Sequence, residues 1–128
     1  GLPRTTKIIA IGVCDSPAYF YHHIDDIAAS MGVPVSVGHA EDWLEVWHGS
    51  GEGYGVSTAE ELQYLADVAR TTGVLLDPVY SGKKALHSFV HKVVAAEPER
   101  FRGRRILFWH TGGALGMFDK AEQLTGIL

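Results

Sequence analysis

The chain has 128 residues, of which 46% are hydrophobic and 20% charged, a balance that is typical of one globular domain and argues against disorder. Its 11 basic and 15 acidic residues give a formal charge of −4, so nonspecific binding to nucleic acid or to an anionic membrane, which needs a basic face, is not expected. The longest apolar runs are far shorter than the roughly 20 residues of a membrane-spanning helix. A single cysteine, Cys14, excludes an intrachain disulfide.

The first part of the chain predicts a strand, a helix and a further segment that could be a strand. Residues 7–13 are apolar and rich in β-branched side chains, as in a buried strand. Pro17 suits the first helical position, and apolar residues then recur at helical spacing on one face as far as Met31. Gly32 is a suitable stop. Residues 43–48 are the possible second strand.

The second part of the chain alternates helices and strands. Ser57 and Thr58 offer capping boxes for a helix that ends at Gly73. The segments 74–78 and 106–110 are predicted as buried strands, each followed by a turn that opens a helix. This alternation predicts an α/β fold in which a parallel sheet is flanked by helices in three layers.

Polar residues and glycines concentrate where the predicted strands end. The loops 14–16, 78–82 and 111–113 all follow strands, and the loop 49–55 joins them if residues 43–48 are a strand. Ligands of open parallel sheets bind beyond the carboxyl ends of the strands. We therefore expect a small-molecule site at these loops.

Two of these loops carry candidate chemistry. The phenol of Tyr80 can donate or accept a proton and can orient a carboxylate, although a tyrosine packed over a turn with Ser81 as a helix cap is the alternative. In the second loop, Thr111 offers a hydroxyl for a ring nitrogen, while Gly112 and Gly113 let a ligand approach the backbone closely. The alternative there is a tight glycine turn with a threonine cap.

Two other features fail the tests for known chemistry. The loop 49–55 matches neither G-x-G-x-x-G nor the P-loop pattern, and we expect it to present Tyr54 instead. Cys14 follows a strand, but a phosphatase-type loop would need an arginine six positions later, where Phe20 stands. A buried or half-buried thiol is expected.

One pair of histidines has the spacing of a possible metal site. His87 and His91 are four residues apart and can share one helix face. The zinc pattern H-E-x-x-H is missing because Ser88 occupies the glutamate position. We expect a solvated helix face and no metal site.

Four segments together resemble a known family. They are KIIAIGVCDSPAYFYHHI, GEGYGVSTAEEL, GVLLDPVYSGKKAL and RRILFWHTGGALGMF, in this order. The combination resembles the C-terminal part of D-cysteine desulfhydrase and the related 1-aminocyclopropane-1-carboxylate (ACC) deaminase, over nearly the whole chain. The resemblance implies a fold type II pyridoxal 5'-phosphate (PLP) enzyme of the tryptophan synthase β kind.

The resemblance also implies roles for individual residues. A tyrosine at the position of Tyr80 lies by cofactor and substrate and takes part in proton transfer, and one at the position of Tyr54 borders the substrate. A threonine at the position of Thr111 faces the pyridine nitrogen. Gly112 and Gly113 would then allow the cofactor to approach closely.

One position separates the two activities of the family. The deaminases carry a glutamate directly after the first tyrosine, whereas the desulfhydrases carry a small hydroxyl residue, and this chain has Ser81. A carboxylate holds the ring nitrogen protonated better than a hydroxyl does. Ser81 favours D-cysteine desulfhydrase, which releases pyruvate, hydrogen sulfide and ammonia by β-elimination. ACC deaminase and a non-catalytic small-molecule-binding fragment are the alternatives.

The family's Schiff-base lysine and phosphate-binding glycine loop belong to its N-terminal part, upstream of the matched region. Lys83 and Lys84 are not that lysine by position. We therefore expect the chain to be the C-terminal portion of a longer PLP enzyme, inactive by itself. When complete, the enzyme is expected to be a cytoplasmic homodimer that acts on a small amino acid, with an organelle as the alternative compartment.

Overall fold

The computed structural model describes residues 6–49 and 56–127. The chain divides into two compact units, an N-terminal unit of residues 1–49 and a C-terminal unit of residues 50–128. Among the described residues, no helix is both long enough and apolar enough to cross a membrane.

The N-terminal unit is built on a two-stranded parallel sheet. Ile8 lies opposite Leu44, and the register continues to Gly12 opposite His48. The predicted first strand and the possible strand at 43–48 are therefore both confirmed. The elements in order are β1 (Ile8–Gly12), α1 (Pro17–Ser30), a 3₁₀ turn (Val35–Val37), α2 (Ala40–Trp43) and β2 (Leu44–His48).

Helix α1 begins as its sequence predicts and packs on the sheet. The Ser16 hydroxyl accepts the backbone N–H of Tyr19 at 3.2 Å, which satisfies one of the free donors of the first turn. The N–H of Val46 in β2 donates to the Tyr21 hydroxyl at 3.0 Å. A Cβ on Gly12 would lie 2.9 Å from the Phe20 ring, so glycine permits the close packing of α1 on β1. The predicted apolar face of α1 is only partly buried.

The C-terminal unit contains helical segments of three kinds. Helix α3 begins with the predicted capping box of Thr58 and Glu61 and ends at Gly73 with φ +74°. The helix expected after Tyr80 has π-helical geometry, and Pro98 begins a further short helix. The elements are α3 (Ala59–Thr72), two π-helical segments (Tyr80–His87 and Phe89–Val94), α4 (Pro98–Phe101), a 3₁₀ helix (Ala114–Lys120) and α5 (Ala121–Thr125).

The prediction of buried strands at 74–78 and 106–110 is wrong for this structure. Within the described residues, only β1 and β2 form a ladder. The segment 106–110 is largely exposed, with Leu107 and Trp109 84% and 78% accessible. Apolar β-branched sequence favours a strand only where a neighbouring strand satisfies its backbone. The α/β class and the parallel sheet are confirmed, with two strands in place of four.

The core of the C-terminal unit forms where α3 and the start of the 77–82 loop meet. Leu62 and Leu65 of α3 pack with Leu76 and Leu124, and all four are at most 4% exposed. Burying four leucines contributes several kcal/mol, at about 1.5–3 kcal/mol for each side chain. This core fixes the position of Leu76 and therefore of the loop that follows it.

Candidate functional site

The loop 77–82 is organised by one buried carboxylate. Asp77 is 3% exposed, and its Oδ1 accepts the N–H groups of Val79 and Tyr80 at 2.9 and 2.6 Å. Its Oδ2 accepts the N–H and the hydroxyl of Ser81, both at 2.6 Å. The Gly82 N–H donates to the Asp77 carbonyl at 3.0 Å. The first turn of the helix is thus folded around Asp77.

The electrostatics of Asp77 follow from this geometry. Burial alone would raise the pKa of the carboxyl, but the hydrogen bonds from the Ser81 hydroxyl and the three N–H groups outweigh it and lower the pKa. The hydroxyl of Ser81 also accepts the N–H of Asp77 at 3.0 Å. Asp77 is therefore an anion at neutral pH, and Ser81 is held on both sides by the same residue.

The loop 110–113 is held by a histidine. Nδ1 of His110 accepts the N–H of Gly112 at 3.0 Å. The ring proton therefore stands on Nε2, which donates to the carbonyl of Leu75 at 3.0 Å. His110 thereby links the two segments that were predicted as strands, although they share no ladder.

The two loops lie against each other. A Cβ on Gly113 would lie 3.1 Å from both Cβ and Cγ of Asp77, and one on Gly116 would lie 3.5 Å from Cδ of Pro78. Gly112 and Gly113 have φ values of +104° and +91°, which favour glycine. The expected meeting of the two turns is therefore observed, within the C-terminal unit.

The predicted site residues differ in exposure. Tyr80 is 47% exposed and Thr111 is exposed, so both can contact a ligand. Ser81 is buried and engaged with Asp77. Tyr54 lies outside the described residues. The roles assigned to these residues remain predictions.

Two lysines that follow the loop are buried. The Nζ of Lys83 lies 3.2 Å from Oε2 of Glu61, with the side chains 1% and 13% exposed. Burial would raise the pKa of Glu61, but the Thr58 N–H and the Lys83 ammonium group outweigh it and lower the pKa. Burial, and after it the charge of Lys83, lower the pKa of Lys84. Both lysines are therefore part of the protein interior.

The described residues fit the ring of a flat heteroaromatic cofactor such as PLP. A Cβ added to Gly112 would meet no atom within 4 Å, so the backbone there is open to a planar group. The neighbouring Thr111 is exposed, and its hydroxyl can donate to or accept from a ring nitrogen. Thr111 and Gly112 therefore fit the nitrogen and the edge of the cofactor ring.

Asp77 and His110 organise the two loops but were not predicted to do so from the sequence. The sequence does contain a signal for Asp77. The carboxylate of an aspartate at the start of a turn commonly accepts backbone N–H groups two to four residues later. No comparable local signal identifies His110, because its partner Leu75 is 35 residues away.

The expectation of a buried or half-buried Cys14 is wrong. The thiol is exposed and donates to the Asp15 carboxylate at 3.2 Å. This hydrogen bond is the main cause that raises the pKa of Cys14. Because a raised pKa leaves less thiolate at neutral pH, the Cys14 thiol is a poor nucleophile.

The expectation of a solvated face at His87 and His91 holds for only one of the pair. His91 is exposed, whereas His87 is half-buried, and their rings stack at 4.3 Å. Tyr64 meets both rings edge-on. Burial and the neighbouring His91 lower the pKa of His87.

Comparisons with known proteins identify relatives of the whole chain. The bifunctional D-cysteine desulfhydrase/ACC deaminase of Arabidopsis thaliana mitochondria is 38% identical over 122 residues, which are 95% of this chain and 29% of that protein. The D-cysteine desulfhydrase of Yersinia enterocolitica is 34% identical over 80% of this chain and 29% of its own length. The ACC deaminase of Burkholderia ambifaria is 31% identical over 93% of this chain and 35% of its own length.

A solved structure gives the same result. The crystal structure of an ACC deaminase homologue matches with a TM-score of 0.67 and 30% identity, over 94% of this chain and 35% of that one. No protein-family model matches the chain. The chain spans about a third of the length of the relatives it matches.

In sequence and in fold, the chain is similar to one class of proteins, the fold type II PLP enzymes. Within that class, its relatives are the D-cysteine desulfhydrases and ACC deaminases, as the sequence resemblance implied. The relatives are PLP-dependent lyases.

Proposed function

We propose that the chain supplies one side of the pocket of a PLP-dependent D-cysteine desulfhydrase, which converts D-cysteine to pyruvate, hydrogen sulfide and ammonia. The observation that carries the proposal is the contact between the two loops, with Gly113 against Asp77. Tyr80 and Ser81 follow Asp77 in one loop and Thr111 lies two residues before Gly113 in the other, so the contact supports assigning them to one pocket. PLP, when bound, supplies the electron sink for loss of the α-proton and of hydrosulfide.

The exposed residues of the two loops receive separate tasks. Tyr80 holds or moves a proton at its phenolic oxygen, beside the reacting atoms of the substrate. Thr111 accepts from or donates to the ring nitrogen, and Gly112 and Gly113 let the ring approach the backbone. Tyr54 lines the substrate side.

The choice of desulfhydrase over deaminase rests on Ser81. Its hydroxyl is 2.6 Å from the anionic carboxylate of Asp77, so a glutamate at this position would bring a second negative charge towards Asp77. The Ser81 hydroxyl donates to Asp77 and brings no negative charge that would hold a ring nitrogen protonated. β-Elimination of a good leaving group such as hydrosulfide needs less electron withdrawal than opening a cyclopropane ring, which remains the alternative activity.

The test compares substrates on the purified protein as its gene encodes it, supplied with PLP. Sulfide and pyruvate release from D-cysteine should exceed ammonia release from ACC. Ser81→Glu should shift the ratio towards ACC. A faster reaction with ACC in the unmodified protein contradicts the desulfhydrase assignment, and no reaction with either substrate contradicts the enzyme assignment.

Tyr80→Phe tests the proposed proton transfer. We expect a loss of about 10²-fold or more in kcat, with PLP binding, followed by cofactor absorbance, much less affected. Tyr19→Phe is the matched control, because Tyr19 is also about half exposed but lies in the N-terminal unit. Equal turnover of both variants would remove Tyr80 from the mechanism.

The assembly and the compartment are further parts of the proposal. The complete protein is proposed to be a homodimer in the cytoplasm, with a small amino acid as substrate. Light scattering of the purified protein gives the subunit number, and imaging of the tagged protein gives the compartment. A monomer would contradict the proposed dimer, and an organellar signal would contradict the proposed compartment. Neither result would change the proposed reaction.

A further inference from the structure

A second cluster of chemically active side chains lies outside the two loops. It joins Glu60 of α3 to His87 and His91 of the π-helical segments, and one ligand atom from each residue lies within 4.8 Å of the other two. Within residues 6–49 and 56–127, this is the group of three histidine, cysteine or acidic residues whose ligand atoms lie that close together.

The histidine His87 carries an independent sign of a missing ligand. Its Nε2 is buried and has no hydrogen-bond partner. A buried imidazole nitrogen without a partner is destabilising, and most such nitrogens in proteins are satisfied. A cation bound through this nitrogen would satisfy it.

The cluster is open to solvent and has charges of both signs near it. Glu60 and His91 are exposed, so solvent can supply a further ligand. Glu60 and Glu61 bring negative charge to His87, and Lys92 brings a positive charge. The rings of His87 and His91 stack with their centroids 4.3 Å apart, and one ligand atom of each lies within 4.8 Å of the other.

We propose that Glu60, His87 and His91 form a Zn²⁺ site with an open fourth position. Two imidazoles and one carboxylate are a known ligand set for this ion. In a tetrahedral site with bonds of about 2.0–2.1 Å, the ligand atoms lie about 3.3–3.4 Å apart, so the exposed side chains of Glu60 and His91 need only small rotations. The ion would clamp α3 to the helix that begins at Tyr80.

The metal alone is the probe. The protein as its gene encodes it is stripped with a chelator and titrated with Zn²⁺ in the absence of D-cysteine, whose thiol binds zinc. We expect one saturable Zn²⁺ per chain, seen by metal analysis after gel filtration. The Co²⁺ form should show the visible absorption of a low-coordinate site.

Variants separate this site from other zinc ligands. Even outer-shell changes at metal sites cost 10–100-fold in affinity, so His91→Gln and Glu60→Gln should each weaken binding by at least about tenfold. His23→Gln and Cys14→Ser should leave the affinity unchanged, since both side chains are exposed and lie outside the cluster. Because His91 is exposed, its variant should fold, which circular dichroism verifies.

The outcomes are distinct from those of the proposed enzyme. Absence of saturable binding overturns the zinc site, and so does an affinity that His91→Gln leaves intact or that Cys14→Ser abolishes. None of these measurements uses PLP, a substrate or turnover, so the zinc site and the desulfhydrase assignment can fail independently.

Discussion

The loops 77–82 and 110–113 lie in contact but differ in burial and in what holds their backbones. The first turns inward: Asp77 and Ser81 are each 3% exposed, and four hydrogen bonds converge on one carboxylate. The second turns outward: Thr111 and both of its glycines are exposed, and the positive φ angles of the glycines shape it.

The first loop therefore holds the backbone in place, whereas the second loop exposes its groups to a ligand. A buried anion with its hydrogen-bond capacity used has nothing left to offer a ligand, but it fixes the backbone from Val79 to Ser81. The exposed loop has few internal contacts and leaves its hydroxyl and backbone accessible. Side chains that contact a cofactor are best placed on such loops when a rigid neighbour positions them.

The largest expected effect comes from removing the support. Asp77→Ala deletes four hydrogen bonds to a charged group and leaves buried donors unsatisfied, which should cost about 3–5 kcal/mol of unfolding free energy. Denaturant unfolding of the purified protein measures it. Asp67→Ala is the control, because Asp67 forms an exposed pair with Arg70 and should cost about 0–1 kcal/mol. Equal effects would mean that Asp77 does not organise the loop.

A smaller effect should appear as pH dependence. The pKa of Asp77 is lowered in the folded state, so its charge stabilises the fold fully above the unfolded value of about 3.9 and this contribution is lost as pH falls through the lowered folded pKa. Glu61, whose pKa is also lowered, adds in the same direction. Unfolding free energies measured from pH 7 to 3 should fall more steeply for the unmodified protein than for Asp77→Asn.

The two glycines of the exposed loop should differ from each other. An alanine at either has an unfavourable positive φ, which costs about 1–3 kcal/mol. At Gly113 the new Cβ also lies 3.1 Å from Asp77, whereas at Gly112 it meets nothing within 4 Å. We expect Gly113→Ala to be the more destabilising by about 1 kcal/mol. The reverse order in thermal or denaturant unfolding would contradict the observed contact between the loops.

Thr111→Val should have the smallest effect on stability, within about 0.5 kcal/mol, because the side chain is exposed. Its effect should be on the cofactor, since valine removes the hydroxyl proposed to face the ring nitrogen. The absorbance of the PLP-loaded protein should change. An identical spectrum would argue against the placement of Thr111 at the ring.

Local chemistry explains which parts of the fold were predictable. The start of α1 at Pro17, the cap at Thr58 and the stop at Gly73 all follow from the sequence, because each depends on residues within one helical turn. The strands at 74–78 and 106–110 were not, since a strand exists only through a neighbour, and apolar composition does not reveal whether one is present.

The candidate site divides in the same way. The sequence identified Tyr80, Ser81 and Thr111 from their types and their position at helix starts. It did not show that Ser81 is held by Asp77, nor that His110 reaches Leu75. The sequence also did not predict that Glu60 of α3 lies close to His87.

The sequence by itself determined the family resemblance, the limits of α1 and α3 and the residue types at the two loops, because these are properties of short stretches of chain. Only the tertiary structure decided that the loops touch, that Asp77 is a buried anion and that two lysines are interior. Each of these depends on groups far apart in the chain, or on burial, and therefore on how the chain packs.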